Sequence, residues 1–222
     1  MRSIRISPFM SALIIYVLLV MLGGVPAAHA QVTYGFNAIT SNNVVDVGIA
    51  ESQLSVEVFD RSGFAVFKFI NVGTEDSSIT DIYFDDDLGL LGGFAGAGPT
   101  SPDTGVSFSI GANPSNLPAG NSISPVFAAD LSLDSDPPAQ PNGVNPGEVL
   151  FVPFTYGGNI GSVERAINAD LLRIGIHVQG FETGGSESLV TGNPTIVPEP
   201  CSILLSAIGM GFFRALKRLR VL

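Results

Sequence analysis

The amino-acid sequence predicts an all-β protein: an antiparallel β-sandwich with one short helix, flanked by an apolar helix at each terminus. Apolar and polar residues alternate with period two, most clearly at 106–110 and 172–178, and this pattern is typical of half-buried strands. Turn-forming residues separate the short apolar runs, since the 222 residues include 26 Gly and 15 Pro. Patterns typical of a helix are scarce between the two termini.

The first element is the N-terminal segment 1–30. It begins with Arg2 and Arg5, continues through an apolar run over 9–25 and ends in Ala28-His29-Ala30. This order predicts a secretory signal peptide, with Ala28 and Ala30 filling the signal peptidase pocket and cleavage after Ala30. An uncleaved membrane anchor is the alternative, because a run of about 17 residues lies near the lower limit for spanning a bilayer.

The segment 31–196 contains the predicted sandwich. Its strands are expected at 32–39, 53–59, 64–70, 78–84, 106–110, 124–132, 148–156 and 172–178. A hairpin turn is expected at 61–63, a flexible Gly-rich loop at 92–98 and a long loop at 136–147. The predicted helix covers 163–171, where Ser162 can act as N-cap and the apolar residues share one face.

This middle segment is strongly acidic. Residues 31–197 carry 4 basic and 19 acidic residues, a formal net charge of −15. A nucleic-acid partner is therefore excluded, because a phosphate backbone requires a clustered basic face.

The last segment, 197–222, has three parts in a fixed order. Val197, Pro198, Glu199 and Pro200 come first, an apolar run over 201–213 follows, and a basic end closes the chain with Arg214, Lys217, Arg218 and Arg220. The prolines keep the first part extended and accessible. As a helix, the 13-residue apolar run spans only about 20 Å of a hydrocarbon core about 30 Å thick. The basic end is expected on the cytoplasmic side, which leaves 31–197 outside the inner membrane.

This C-terminal segment resembles the PEP-CTERM sorting signal. The resemblance implies that exosortase, a membrane-embedded cysteine transpeptidase, processes the chain, and that a transient membrane anchor precedes release to the cell surface or extracellular matrix. An ordinary, unprocessed tail anchor is the alternative. Residues 78–192 also resemble uncharacterised PEP-CTERM ectodomains, which implies a shared β fold and carries no known activity.

The densest acidic cluster consists of Asp81, Asp85, Asp86 and Asp87, a candidate calcium site because Ca²⁺ prefers several hard oxygen ligands. The sequence lacks the EF-hand loop pattern, and a solvated turn that protects a strand edge explains the cluster equally well. Asp134 and Asp136 form a second acidic candidate site, for a metal or for sugars, and the solubility of the loop explains this pair equally well.

Catalytic residues are few. His177 is the one histidine that remains after signal-peptide removal, and we expect it to be a surface hydrogen-bonding residue near Glu182 or Glu187. The segment 184–188 lacks the second glycine of a nucleophile elbow. Cys201 has no partner for an intramolecular disulfide and is expected to be inert. A carbohydrate-active enzyme would need a carboxylate pair, drawn from Asp81, Asp85, Asp134, Asp136, Glu148, Glu182 and Glu187.

These observations predict a secreted, non-catalytic protein with a structural or adhesive role in the cell envelope or biofilm matrix. No cofactor is required, although calcium can bind the acidic cluster. Divalent cations can also bridge the acidic ectodomain to anionic exopolysaccharide. A carbohydrate-active enzyme and a calcium-dependent binding module are the alternatives.

Overall fold

The computed structural model describes residues 31–196, which fold as one β-rich unit. The predicted signal peptide with Ala28 and Ala30, and the predicted sorting motif Val197, Pro198, Glu199 and Pro200, lie outside the described residues.

Ten strands and three α-helices make up this unit. The strands are β1 (Val32–Ala38), β2 (Leu54–Arg61), β3 (Phe64–Asn71), β4 (Ser78–Asp86), β5 (Leu91–Phe94), β6 (Phe108–Ile110), β7 (Leu131–Ser135), β8 (Val149–Tyr156), β9 (Leu172–Gln179) and β10 (Glu187–Ile196). The helices are α1 (Val44–Gln53), α2 (Ala139–Asn142) and α3 (Ile160–Asn168).

All ten strands belong to a single antiparallel sheet in the order β5-β8-β3-β2-β1-β10-β9-β4-β7-β6. The all-β, antiparallel class is therefore confirmed. Two separate sheets are not confirmed, because β1 hydrogen-bonds to β2 on one side and to β10 on the other and so joins the two halves.

The sheet curls so that its two halves share one core. Phe84 in β4 packs against Phe67 in β3 and Phe154 in β8, with ring centroids 5.1 and 4.8 Å apart. In the sheet order, β4 lies five strands from β3. This contact is possible only because the sheet folds back over itself, and the phenylalanines fill the space between the halves as edge-to-face pairs.

The opposite face of the β9–β4 region is covered by the segment 111–130. Tyr83, Leu117 and Phe127 form a second buried cluster there. Gly175 in β9 makes the close approach possible, since a Cβ atom at this position would lie 2.8 Å from the Leu117 side chain. The run 124–132, predicted as a strand, is mostly part of this covering segment, and β7 begins only at Leu131.

Two further local predictions need correction. The Gly-rich segment 92–98, predicted as a loop, begins with the edge strand β5, which pairs with β8. The helix predicted at 163–171 is α3, which begins and ends about three residues earlier. Its N-cap is Asn159, whose Oδ1 accepts a hydrogen bond from the Ser162 backbone N–H (3.1 Å), and the left-handed conformation of Asp170 (φ 56°) follows its end.

The sequence also predicts a single helix, and the structure adds α1 and the four-residue α2, which lies within the predicted loop 136–147. Asn43 caps this ten-residue helix by accepting a hydrogen bond from the Val45 backbone N–H (2.9 Å). The buried residues of α1 are Asp46, Ala50 and Gln53. A helix whose buried face includes two polar residues lacks the apolar stripe that sequence patterns detect.

The β2–β3 turn gives a stability prediction. Its two central residues, Ser62 (φ 57°) and Gly63 (φ 84°), both have positive φ, as in a type I′ hairpin turn. We expect Gly63→Ala to lower the free energy of unfolding by about 1–2 kcal/mol, because an L-residue is strained in this conformation. Urea denaturation measures the change.

Gly157→Ala is the matched control for this substitution. Gly157 is exposed, has no left-handed φ, and a Cβ atom there would meet nothing within 4 Å. The free energy of unfolding of this variant should be unchanged or slightly raised. Equal losses in the two variants would contradict the turn assignment.

Candidate functional site

The registers of five neighbouring strands align a row of polar residues on the sheet face opposite the main core. In strand order, the row consists of Ser188, His177, Asp81, Asp134 and Ser109, each directly opposite the next. Directly paired residues of neighbouring strands lie on the same face. We call this set the polar row; it includes two of the sequence-predicted carboxylates and the one predicted histidine.

Asp81 and Asp134 are adjacent carboxylates at the centre of the polar row. Asp81 is 5% exposed. Burial raises its pKa to about 6; the Thr80 hydroxyl, 2.9 Å from Oδ2, opposes this shift, and the charge of Asp134 adds to it. Glycoside hydrolysis requires two carboxylates that face each other across a cleft. Asp81 and Asp134 instead lie side by side on one sheet face.

The raised pKa of Asp81 predicts a pH-dependent stability. When the pKa of a carboxyl group is higher in the folded state than in the unfolded state, the protein loses stability as pH rises between the two values. For Asp81 these values are near 4 unfolded and near 6 folded. We expect Asp81→Asn to remove this loss, raising the free energy of unfolding at pH 7 by up to about 3 kcal/mol while changing it little at pH 4. Urea denaturation at the two pH values tests this.

The control variant is Asp136→Asn, for which the expected pH dependence of stability has the opposite sign. Hydrogen bonds from the Ser107 and Ser109 hydroxyls lower the pKa of the partly exposed Asp136. Its stabilising effect is present at neutral pH and is lost as the carboxylate becomes protonated, so Asp136→Asn should lower stability at pH 7 more than at acid pH. Equal effects of Asp81→Asn at pH 4 and pH 7 would contradict the assignment.

His177 is half-buried and lies within hydrogen-bond distance of a hydroxyl group. Its Nδ1 lies 3.2 Å from the Ser188 Oγ. Burial lowers the pKa of His177, and Glu187 opposes that shift. The polar row thus aligns Ser, His and Asp, the residue types of a hydrolytic triad. Ser188 is only 1% exposed, however, so this hydroxyl has no access to a substrate.

The predicted calcium cluster is divided by the alternation of β4. Asp85 and Asp81 lie on the polar-row face, where Asp85 forms an ion pair with Arg173. Asp86 points to the other face, and its Oδ2 accepts a hydrogen bond from the Leu91 backbone N–H (2.7 Å). Asp87 is exposed in the turn that follows. The four carboxylates therefore do not converge, and no three acidic, histidine or cysteine side chains in 31–196 are grouped as metal ligands.

The other candidate carboxylates hold loops in place. Glu148 accepts a hydrogen bond from the Asn145 backbone N–H (2.8 Å). Glu187 is fully buried and accepts hydrogen bonds from the Thr40 hydroxyl and the Asn43 backbone N–H, which fixes the segment leading into α1. These hydrogen bonds give both carboxylates a structural role.

Glu182 lines an acidic cavity that the sequence analysis missed. The cavity has a volume of about 320 Å³ and is lined by Val45, Asp46, Ile49, Thr74, Glu75, Asp76, Glu182 and Thr183. Gln53 at the end of α1 holds the loop that forms one wall: its Oε1 accepts hydrogen bonds from the backbone N–H groups of Thr74 (3.1 Å) and Glu75 (2.9 Å). Three separate parts of the chain thus meet here, so no local motif marks the site.

Comparison with protein-family models, curated proteins and solved structures finds no match to this chain. Within residues 31–196, the helices are too short or too polar to cross a bilayer.

Proposed function

We propose that this chain is an exported, non-catalytic protein that the exosortase pathway delivers to the cell surface or the exopolysaccharide matrix, where it has a structural or adhesive role. The observation that carries the proposal is the order of the C-terminal segment: Val197-Pro198-Glu199-Pro200, a short apolar run and a basic end. The N-terminal segment, with its apolar run and Ala28-His29-Ala30, supports export.

The ectodomain fits a role based on contact. Its formal charge of −15 over 31–197 favours solubility and attracts divalent cations, which bridge it to anionic polysaccharide. Side chains that a hydrolase would use have structural partners instead, as His177 and the buried Ser188 illustrate. On this proposal, the two halves of the curled sheet form the two layers of a sandwich, and hydrogen bonds still join one half to the other.

Intact mass and cell fractionation in the native host test the sorting step. We expect the mature protein to lack residues 1–30 and the tail beyond about Pro200, and we expect the tail to remain when exosortase is deleted. Glu199→Gln should also leave the tail in place, whereas Asp170→Asn, which removes one exposed charge elsewhere, should be trimmed normally. A tail retained in the inner membrane with and without exosortase would overturn the proposal.

Co-sedimentation with an anionic polysaccharide tests the adhesive role. We expect binding in millimolar calcium, and we expect a chelator or high monovalent salt to abolish it, because the bridging interaction is electrostatic. Binding that persists in the chelator would contradict the bridging mechanism.

A thermal melt distinguishes bridging from a calcium-dependent binding module. A calcium site present only in the folded state would stabilise the protein by about 2.7 kcal/mol at a hundredfold excess over Kd. Bridging alone predicts no such shift, and a large calcium-dependent shift would favour the module.

A further inference from the structure

The acidic cavity contains a buried carboxylate without a counter-charge. Asp46 in α1 is fully buried, and its Oδ2 accepts a hydrogen bond from the Oγ1 of Thr183 on the cavity wall (2.6 Å). Its Oδ1 has no hydrogen-bond partner among the described residues. A buried carboxylate oxygen without a donor is costly, and a positive charge close to it lowers that cost.

The surroundings of Asp46 specify the sign of that group. Glu75, Asp76 and Glu182 are exposed carboxylates that line the same cavity. In the part of the chain that the structure describes, the two ion pairs are Lys68 with Glu57 and Arg173 with Asp85, and neither lies at the cavity. Several carboxylates around one concave site concentrate a negative potential and attract cations.

We propose that this cavity binds a primary ammonium group carried on a small carbon skeleton. An ammonium group has three N–H donors. The exposed carboxylates that line the cavity and the Thr74 hydroxyl accept these donors, and the negative charge of the buried Asp46 adds to the attraction. Val45, which is 64% exposed, and Ile49 provide an apolar wall for the carbon skeleton.

The size of the cavity agrees with this ligand class. Its volume of about 320 Å³ lies at the lower end of the range of about 300–1,000 Å³ for small-molecule sites. A second cavity of about 310 Å³ also has Asp76 in its lining and is otherwise lined by uncharged residues, including Ser78, Gln140 and Pro141.

Isothermal titration of the protein purified from its native host tests the proposal. Glucosamine and 1,5-diaminopentane are the two amine probes, and they distinguish a sugar skeleton from an alkyl chain. N-acetylglucosamine is the uncharged control. We expect at least one amine to bind ten times more tightly than N-acetylglucosamine.

Variants connect this binding to the cavity. Asp46→Asn should weaken amine binding at least tenfold. The control Asp170→Asn removes the same charge from an exposed turn away from the cavity and should leave binding unchanged. If Asp46→Asn does not fold, the double variant Glu75→Gln/Glu182→Gln, which alters exposed side chains only, should weaken binding at least threefold.

Three results would overturn the proposal: no binding of either amine, equal binding of N-acetylglucosamine, or amine binding that these cavity variants leave unchanged. Calcium binding that depends on Asp46 without any amine binding would also overturn it, in favour of a metal ligand. The proposal does not depend on the sorting pathway, so failure of the tail-processing experiment would leave it standing.

Discussion

Arg173→Ala should lower the free energy of unfolding by about 3–5 kcal/mol, because it leaves a buried carboxylate without its counter-charge. Arg173 is 7% exposed and pairs with Asp85, which is 3% exposed. The guanidinium also donates hydrogen bonds to the carbonyl oxygens of Pro125 and Val126, both at 2.7 Å. Its carbon Cζ lies 5.3 Å from the centre of the Phe127 ring, within the range of a cation–π contact. Urea denaturation measures the loss.

Arg165→Ala is the control for this prediction. Arg165 is exposed and donates a hydrogen bond to the Ser162 hydroxyl (3.0 Å), so its removal should change stability by less than about 0.5 kcal/mol. Replacing Arg173 and Asp85 together by apolar residues should cost less than the sum of the single variants, because no unpaired charge remains. A loss below 1 kcal/mol for Arg173→Ala would show that the Arg173–Asp85 pair does not hold the segment 111–130 against the sheet.

Phe84→Ala should lower the free energy of unfolding by about 3–5 kcal/mol. Phe84 is fully buried where the two halves of the curled sheet meet. Its ring contacts Phe67, Phe154 and Phe69, the last at 6.2 Å between centroids. Truncation removes these contacts across the shared core and leaves a cavity between the two halves. Phe84→Leu keeps much of this volume and should lose less.

Phe64→Ala provides the comparison for the core position. Phe64 is 37% exposed at the start of β3, so its truncation should cost less than about 1 kcal/mol. Urea denaturation of both variants decides the matter. Similar losses for Phe84→Ala and Phe64→Ala would contradict the role of Phe84 in joining the two halves.

The strands with clear alternation could be predicted from the sequence. The predicted runs 53–59 and 148–156 correspond to β2 and β8 within two residues. In each of them one face is buried in the shared core, and burial of one face is the physical cause of alternation. The segment 124–130 misled the prediction because Phe127 is buried by covering the sheet and not by pairing within it.

The helix α1 could not be predicted for the opposite reason. Val44 and Val45 are 78% and 64% exposed, while Asp46 and Gln53 are buried. A pattern method assigns burial to apolar residues, and here hydrogen bonds to distant loops determine which residues are buried. The acidic cavity was missed together with α1.

The polar row depends on strand register, which a single sequence does not reveal. Asp81 and Asp134 were each recognised as candidates, but only the pairing of β4 with β7 makes them neighbours. The same register sets the pKa of Asp81, since burial and the nearby charge act only after folding. Composition thus identified the residue types, and the long-range pairing determined their chemistry.

The antiparallel pairing of β1 with β10 places the two ends of the domain side by side. Val32 lies opposite Ile196, so the chain enters and leaves the domain at the same place. Glu182 and Thr183 of the acidic cavity precede the other end of β10, which at about 3.3 Å per residue is roughly 33 Å long. If the proposed sorting signal anchors the chain at its C-terminus, the acidic cavity lies about one strand length from the attachment point, near the opposite end of β10.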